Sequence, residues 1–407
     1  MTRSRLAAAL LVALAVAVHA PTLGHPFLLD DGVQIFKNRA VTAGAPLADY
    51  FLDRNTTSSR ADYNTRSYRP LRNLAFRGIA LVAGLRPLAY GIANLLGYAI
   101  AALLVLALLR RLVSDGRAAA WAAALWVVLP VHVEPVAYAS GLGDLLSLAL
   151  ELGALVVALP LLAGDGKRWR WAASTALAAA AMLTKEMAVT EPALLLLVAV
   201  ALGGGAWRRR ALGWLVVAHG LVAVGYVALR THVVGAVGEQ PLTAAGLRDG
   251  LRDAPWLLAH YLWISLAPLG HAASYRVPLP SLTALALTLT GLAAVFAAAW
   301  RWRRPVAVGL GWFAVSLAPV LHIVPLATDL ADRFALFPTV GLALALAAAI
   351  AALRRRAAVA ALAGALVVYA AASIVEARAW RSDSLLWRYA VDRQPVGGRA
   401  QLEGRAA

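Results

Sequence analysis

LAAALLVALAVAVHAPTL, residues 6–23, is a run without a formal charge, and after one glycine it gives way to HPFLLDDG, residues 25–32. Crossing a hydrocarbon core about 30 Å thick takes about 20 apolar residues in a helix. The first stretch therefore reads as a membrane span and the second as the start of a polar segment at the bilayer surface. In that segment Asp30 and Asp31 are adjacent. Two neighbouring carboxylates repel each other and both disfavour low dielectric, so folding alone gives little reason to place them there.

The rest of the chain has the same character. Of 407 residues, 61% are hydrophobic and only 14% charged, against about 45–50% and about 25% in a soluble globular chain. Further apolar runs cover Leu88–Leu112, Ala118–Val131, Leu145–Leu162, Trp171–Leu183, Ala188–Leu202, Leu212–Leu229, Leu282–Ala299, Val306–Ile323, Ala335–Leu353 and Ala357–Ile374. The expectation is an all-α polytopic membrane protein of about eleven transmembrane helices. Pro255–Leu269 is apolar but flanked or interrupted by Asp249, Arg252, Asp253, His260 and His271, and reads as interfacial or re-entrant.

The formal charge of +17 arises from short basic clusters between spans, so it is a topology signal and nucleic acid is not an expected partner. Arg3 with Arg5, Arg110 with Arg111 and Arg117, Lys167 with Arg168 and Arg170, Arg208–Arg210, Arg301 with Arg303 and Arg304, and Arg354–Arg356 fall at alternate span ends. They place the N-terminus in the cytoplasm and, with an odd count, the C-terminus outside. The external side then holds a long first loop, residues 24–86, expected to carry short amphipathic helices. It also holds several turns dense in polar residues. Cysteine is absent, which excludes disulfides and thiol nucleophiles. Gly203–Gly205 is followed by Trp207 and Arg208 instead of a Lys-Ser/Thr pair, so no nucleotide loop is expected.

Those external turns carry a resemblance. LLDDGVQIFKN (28–38), DYF (49–51) and SYRPLRNLAFR (67–77) resemble the first external loop of the transmembrane, tetratricopeptide-repeat-containing O-mannosyltransferases. PVHVEPVAYASGLGDLLS (130–147) is similar to that family's HPxHTEAVxxIVGRADLLS, TKEMAVT (184–190) to its KE-containing turn, and ADRFALFPTVG (331–341) to its AERxLYLPSxG. Leu142, Thr184 and Leu336 depart from the family pattern. No 34-residue helical repeat is present, so residues 1–380 read as the catalytic membrane domain and 381–407 as a short external tail, a vestige of a repeat domain.

The resemblance implies a GT-C type glycosyltransferase that moves mannose or another hexose, with inversion, from a polyprenyl- or dolichyl-phosphate carrier to an acceptor hydroxyl on a protein or glycolipid. An Ala-, Leu- and Arg-rich composition suggests a bacterial inner membrane and a polyprenyl carrier. Such chemistry requires a base for the acceptor proton and cations for the departing phosphate. Asp30 is the expected base, its pKa lifted by its neighbour, and Asp31 is expected to orient a substrate. Arg69, Arg333 and Lys185 are the expected phosphate ligands, since arginine offers a fixed fork of donors. Tyr68, His132, Glu134, Asp144, Glu186 and Asp332 are supporting candidates. Asp144 is read as an N-cap or a partner of Arg69 or Arg333, and Lys185 with Glu186 as a neutralising pair. His132 and Glu134 could bind a divalent cation, but two ligands do not make a site, and a helix-turn role between Pro130 and Pro135 is preferred. A lipid-linked-sugar flippase or transporter is the alternative; it would be expected to carry mid-span charges or inverted repeats.

Overall fold

The computed structural model describes residues 3–64, 67–164, 167–206, 209–236, 242–272, 275, 277, 279–324, 326, 328, 330–352 and 355–392. Arg208 and Arg354 of the basic clusters, and the tail from residue 393, lie outside them. Helices dominate, and the one isolated β contact among the described residues is an antiparallel bridge between Tyr275 and Leu330.

Each of the eleven apolar runs forms a helix, and among the described residues six helices are long and apolar enough to cross a membrane: Ser4–Thr22, Pro87–Leu112, Ala139–Ala163, Arg210–Val234, Leu282–Trp302 and Val359–Arg381. A seventh span results if Gly116–Val127 and Pro130–Ala137, bent by 58°, count as one. The bend has a local cause. Pro130 forces Leu129 into an extended conformation (ψ 125°), which ends the preceding helix. The remaining runs become Trp169–Thr184, Glu191–Leu202, Arg304–Leu317 and Thr339–Ile350, of 16, 12, 14 and 12 residues. Twelve residues rise only about 18 Å. Of the eleven expected spans, six or seven reach full length among the described residues, and the others are shortened helices.

Pro255–Leu269 is the latter part of one continuous helix, Ala244–Leu266, with no re-entrant break. The first loop is built of single helical turns at Gly32–Phe36, Arg39–Thr42, Asp49–Leu52, Arg54–Thr56 and Ala61–Asn64, followed by a 14-residue helix, Pro70–Ala83.

The core runs through the bundle and includes Leu11, Tyr98, Val105, Trp126, Leu152, Leu195, Trp312 and Leu344. The Leu282–Trp302 helix stands outside it, only 6% buried over its apolar window, with Leu287, Val295 and Phe296 exposed. Such a face suits lipid contact. Basic clusters gather at one end of the bundle: Arg110 bonds Ser4 (2.9 Å), and Gly164 lies against Arg209. The polar loops gather at the other end.

Two glycines let two shortened helices approach closely. A Cβ at Gly309 or Gly341 would overlap the carbonyl oxygen of the other glycine, in the small-residue packing typical of membrane helices. Since this contact fixes both ends of the 318–338 loop, Gly341→Ala is expected to destabilise the protein by about 1–3 kcal/mol through overpacking. Thermal unfolding in detergent checks this; an unchanged Tm would show that the two helices can separate freely.

Candidate active site

A 340 Å³ cavity opens among the polar loops, lined by Asp30, Gln34, Arg69, Arg72, Tyr138, Ser140, Lys185, Glu186, Arg333 and Phe334, with the Arg60–Asp62 pair at its rim. All the sequence segments that carried the resemblance, except DYF, contribute a residue to its wall.

The first segment arrives through backbone strain. Leu29 has φ 48°, a left-handed conformation uncommon outside glycine, and its N–H donates to Asp383 Oδ1 (3.2 Å). Beyond this kink Asp30 faces the cavity and Asp31 does not. Asp31 is fully buried and accepts hydrogen bonds from the backbone N–H groups of Leu28 (3.0 Å), Ala139 (3.1 Å) and Ser140 (2.7 Å). Burial pushes its pKa up to about 6, with those hydrogen bonds opposing the shift. The raised carboxyl is therefore the one expected to orient substrate, and the cause is desolvation instead of repulsion by a neighbour. Asp31 instead clasps the Asp30 loop onto the turn at 139–141. Gly141 is required in that turn, since a Cβ there would overlap the Pro135 carbonyl oxygen.

The three expected phosphate ligands each arrive held by a carboxylate. Glu186 grips Arg69 with both oxygens, one through Nε at 2.9 Å and the other through Nη2. Arg69 in turn holds the Glu186 carboxyl below the usual carboxylate range, although burial pulls the other way. Glu134 accepts from the Arg333 backbone N–H (2.9 Å) and from its Nη1 (2.5 Å). Burial opposes the charge of Arg333, and Glu134 outweighs it. Lys185, fully buried, is paired with Asp144. Asp144 is thus neither an N-cap nor an arginine partner, and Lys185 and Glu186 each pair with a different residue instead of with each other. The Phe334 ring lies against both Lys185 Nζ (5.4 Å) and the Arg333 guanidinium (4.9 Å).

The other candidates build the frame. His132 uses both ring nitrogens, on Tyr98 Oη (2.8 Å) and Thr339 Oγ1 (2.8 Å), and packs on Trp126. It is fully buried with both ring nitrogens engaged, while Glu134 is bonded to Arg333. Among the described residues no group of three or more His, Asp or Glu is placed to hold a metal. Asp332 binds His271 Nδ1 (3.0 Å) and Tyr275 Oη (2.6 Å), tying the 331–335 turn to the loop after Ala244–Leu266. Tyr68 donates to the Phe51 carbonyl (2.9 Å). Tyr138, Gln34, Ser140, Phe334 and Arg72 are cavity residues not singled out from sequence. Arg72 had a signal: it is a second arginine three residues after Arg69, in the first turn of the helix that Arg69 precedes.

The architecture is that of a polytopic helical membrane protein. The chain aligns with the crystal structure of ArnT from Cupriavidus metallidurans bound to undecaprenyl phosphate. The TM-score is 0.53 at 17% identity, over 97% of this chain and 71% of that one. In sequence the similarity is to protein O-mannosyltransferases: 34% identity over 180 residues with Tmtc1 of Drosophila melanogaster, and 32% over 148 residues with TMTC3 of Mus musculus. These matches take in 44% and 36% of this chain but only 21% and 16% of the relatives' lengths. No family model matches.

The two adjacent aspartates should separate in experiment. Asp31→Ala orphans three buried N–H groups, at about 1–3 kcal/mol for each one left unsatisfied, and should lower Tm clearly. Asp30→Ala removes a cavity-facing group and should cost far less. Equal losses in detergent melts would refute the clasp.

Proposed function

We propose that the protein is a glycosyltransferase that takes a hexose, mannose by resemblance, from a polyprenyl-phosphate carrier and attaches it to an acceptor hydroxyl of a protein or glycolipid. The observation that carries this reading is one cavity in which Asp30 faces Arg69, Lys185 and Arg333, in a lipid-embedded bundle, at the end opposite the basic clusters. Sequence similarity to O-mannosyltransferases supports it.

In this reading the donor's tail lies along the bundle and its phosphate enters the cavity. The acceptor oxygen attacks the anomeric carbon from the side opposite the phosphate, inverting the centre, while Asp30 takes the hydroxyl proton. The bond from carbon to phosphate oxygen breaks, and its electron pair leaves with the phosphate. Arg333, Arg69 and Lys185, oriented in advance by Glu134, Glu186 and Asp144, stabilise that charge without reorganising during the reaction. Asp31 and Tyr68 position the loops; Asp332 and His132 fix the turn that bears Arg333.

Reconstituted with a polyprenyl-phosphate mannose, Asp30→Asn is expected to lose about 10²–10⁴-fold in transfer while still binding donor. Turnover near wild type would remove Asp30 from the base role. Arg333→Ala should weaken transfer by about 1.5–3 kcal/mol, and Arg333→Lys should recover only part of it, because an ammonium lacks the two-pronged geometry. Full activity of Arg333→Ala would reduce that residue to an anchor.

The proposed orientation in a bacterial inner membrane puts the cavity outside and the basic clusters in the cytoplasm. The chain has no cysteine of its own. Cysteines placed singly at Ser59 and Ser382 should react with an impermeant thiol reagent in intact cells, and one at Ser4 only after the membrane is opened. Labelling of Ser4→Cys in intact cells would invert the topology and make an external lipid-linked donor untenable.

A further inference from the structure

Four basic side chains line the body of the cavity, and they are not equivalent. Arg69, Lys185 and Arg333 each have a carboxylate bonded to them. Arg72 has none. It is 1% exposed, and its guanidinium is held by two neutral amide oxygens: Nη1 donates to Gln34 Oε1 (2.7 Å), while Nε and Nη2 donate to Asn73 Oδ1 (3.2 and 3.0 Å). Asn73 is itself buried, and its Nδ2 donates to the Thr56 carbonyl (3.3 Å), which turns its oxygen toward the arginine. The guanidinium lies over Phe76 (5.4 Å), and the stem passes so close to Gly143 that a Cβ there would come within 2.8 Å of Arg72 Cδ. This is a built socket for a cation, assembled from four separate elements.

The socket leaves work undone. A guanidinium has five N–H groups, and three are used. One on each terminal nitrogen has no partner among the described residues, on a side chain that lines the cavity. Glu186 and Asp30 act on it only through space, and a buried charge with no bonded counterion is costly, so such a group suits a ligand that supplies one. Burial pulls its pKa down to about 9, which still leaves it charged at neutral pH.

We propose that Arg72 is the cation of this cavity reserved for the phosphate of the lipid-linked substrate, with its two remaining N–H groups donating to the phosphate oxygens as a fork. This rests on the reading given under Proposed function and adds a division of labour to it. A sugar phosphodiester carries one negative charge, and one cation in the resting cavity lacks a bonded carboxylate. During transfer the acceptor's proton neutralises Asp30 as the leaving phosphate gains its second charge. The cavity's total is unchanged, so Arg72 serves chiefly to seat the ground-state donor and the phosphate product.

The test is a thermal-shift and affinity measurement on the full protein in zwitterionic nanodiscs, with undecaprenyl phosphate, undecaprenol and inorganic phosphate as probes. In the wild type, undecaprenyl phosphate should raise Tm more than undecaprenol, and inorganic phosphate alone should add little. Arg72→Gln should weaken undecaprenyl phosphate binding about 10- to 100-fold, as for lost hydrogen bonds to a charged group, and erase its advantage over undecaprenol. Without ligand, the same variant should be no less stable than wild type, because a buried charge with no bonded counterion has been removed. Gly143→Ala, which keeps the charge and displaces the stem, should also weaken binding. Arg72→Lys should restore binding only in part.

A lower Tm without ligand together with an undiminished phosphate effect in Arg72→Gln would make the residue structural and overturn the proposal, leaving the transferase reading intact. If the wild type itself fails to distinguish undecaprenyl phosphate from undecaprenol, the proposal and the lipid-phosphate reading fall together. A wild type stabilised as strongly by inorganic phosphate would show a site for free phosphate and overturn the lipid assignment.

Discussion

Charge in the body of this cavity has to be matched, because its walls are packed into a lipid-embedded bundle where an isolated ion is expensive. The matching is also what assembles the site. Arg69 reaches Glu186, Arg333 reaches Glu134 and Lys185 reaches Asp144. Each pair joins two loops that are remote in the chain, and together they bind the turns at 69, 134, 144, 185 and 333 around one space. Buried pairs of this kind add little net stability, since desolvation offsets their attraction. Their contribution is to register, as each fixes where a cation points before any ligand arrives. Arg72 stands out against this arrangement because it is held as firmly by amides yet has no bonded carboxylate.

The same cavity accounts for the helices that stop short. Gly116–Val127, Trp169–Thr184, Glu191–Leu202, Arg304–Leu317 and Thr339–Ile350 each have one end at a loop that builds the cavity or its frame. Full-length helices there would fill the space with backbone and apolar side chains. Ending them early sinks the polar loops below the rim of the bundle. The Thr339 hydroxyl shows how the stumps are joined: it donates to the Leu336 carbonyl and meets both Trp126 Nε1 (3.0 Å) and His132 Nε2. Irregular backbone at such depth is tolerated only where it is buried in protein or lines a cavity.

Much of this was legible in the sequence, and the remainder was hidden for physical reasons. Apolar runs marked all eleven helices because hydrophobicity is additive along the chain. They could not say which runs would be cut short, because that depends on where loops meet in space. The loops that line the cavity were legible, since Asp30, Arg69, Lys185, Glu186 and Arg333 stand out against apolar surroundings. Their pairing was not, because a carboxylate's partner is set by folding and Glu186 bypasses the adjacent Lys185 for an arginine 117 residues away. His132 left a metal-ligand reading open beside the preferred helix-turn one, because a buried histidine engaged on both nitrogens and a coordinating one share the same letter in a sequence.

The adjacent aspartates show this limit most clearly. On paper they are two equivalent like charges whose repulsion ought to poise one of them. In the fold, just past the left-handed turn at Leu29, they are separated by direction. Asp31 goes inward, where three N–H groups from two segments converge on it, and Asp30 is left facing the cavity. One carboxylate is committed to structure so that the other is aimed. The two carboxylates therefore work as a unit: the inward acid holds the loop against the 139–141 turn, and without that clasp the cavity-facing acid has no fixed position.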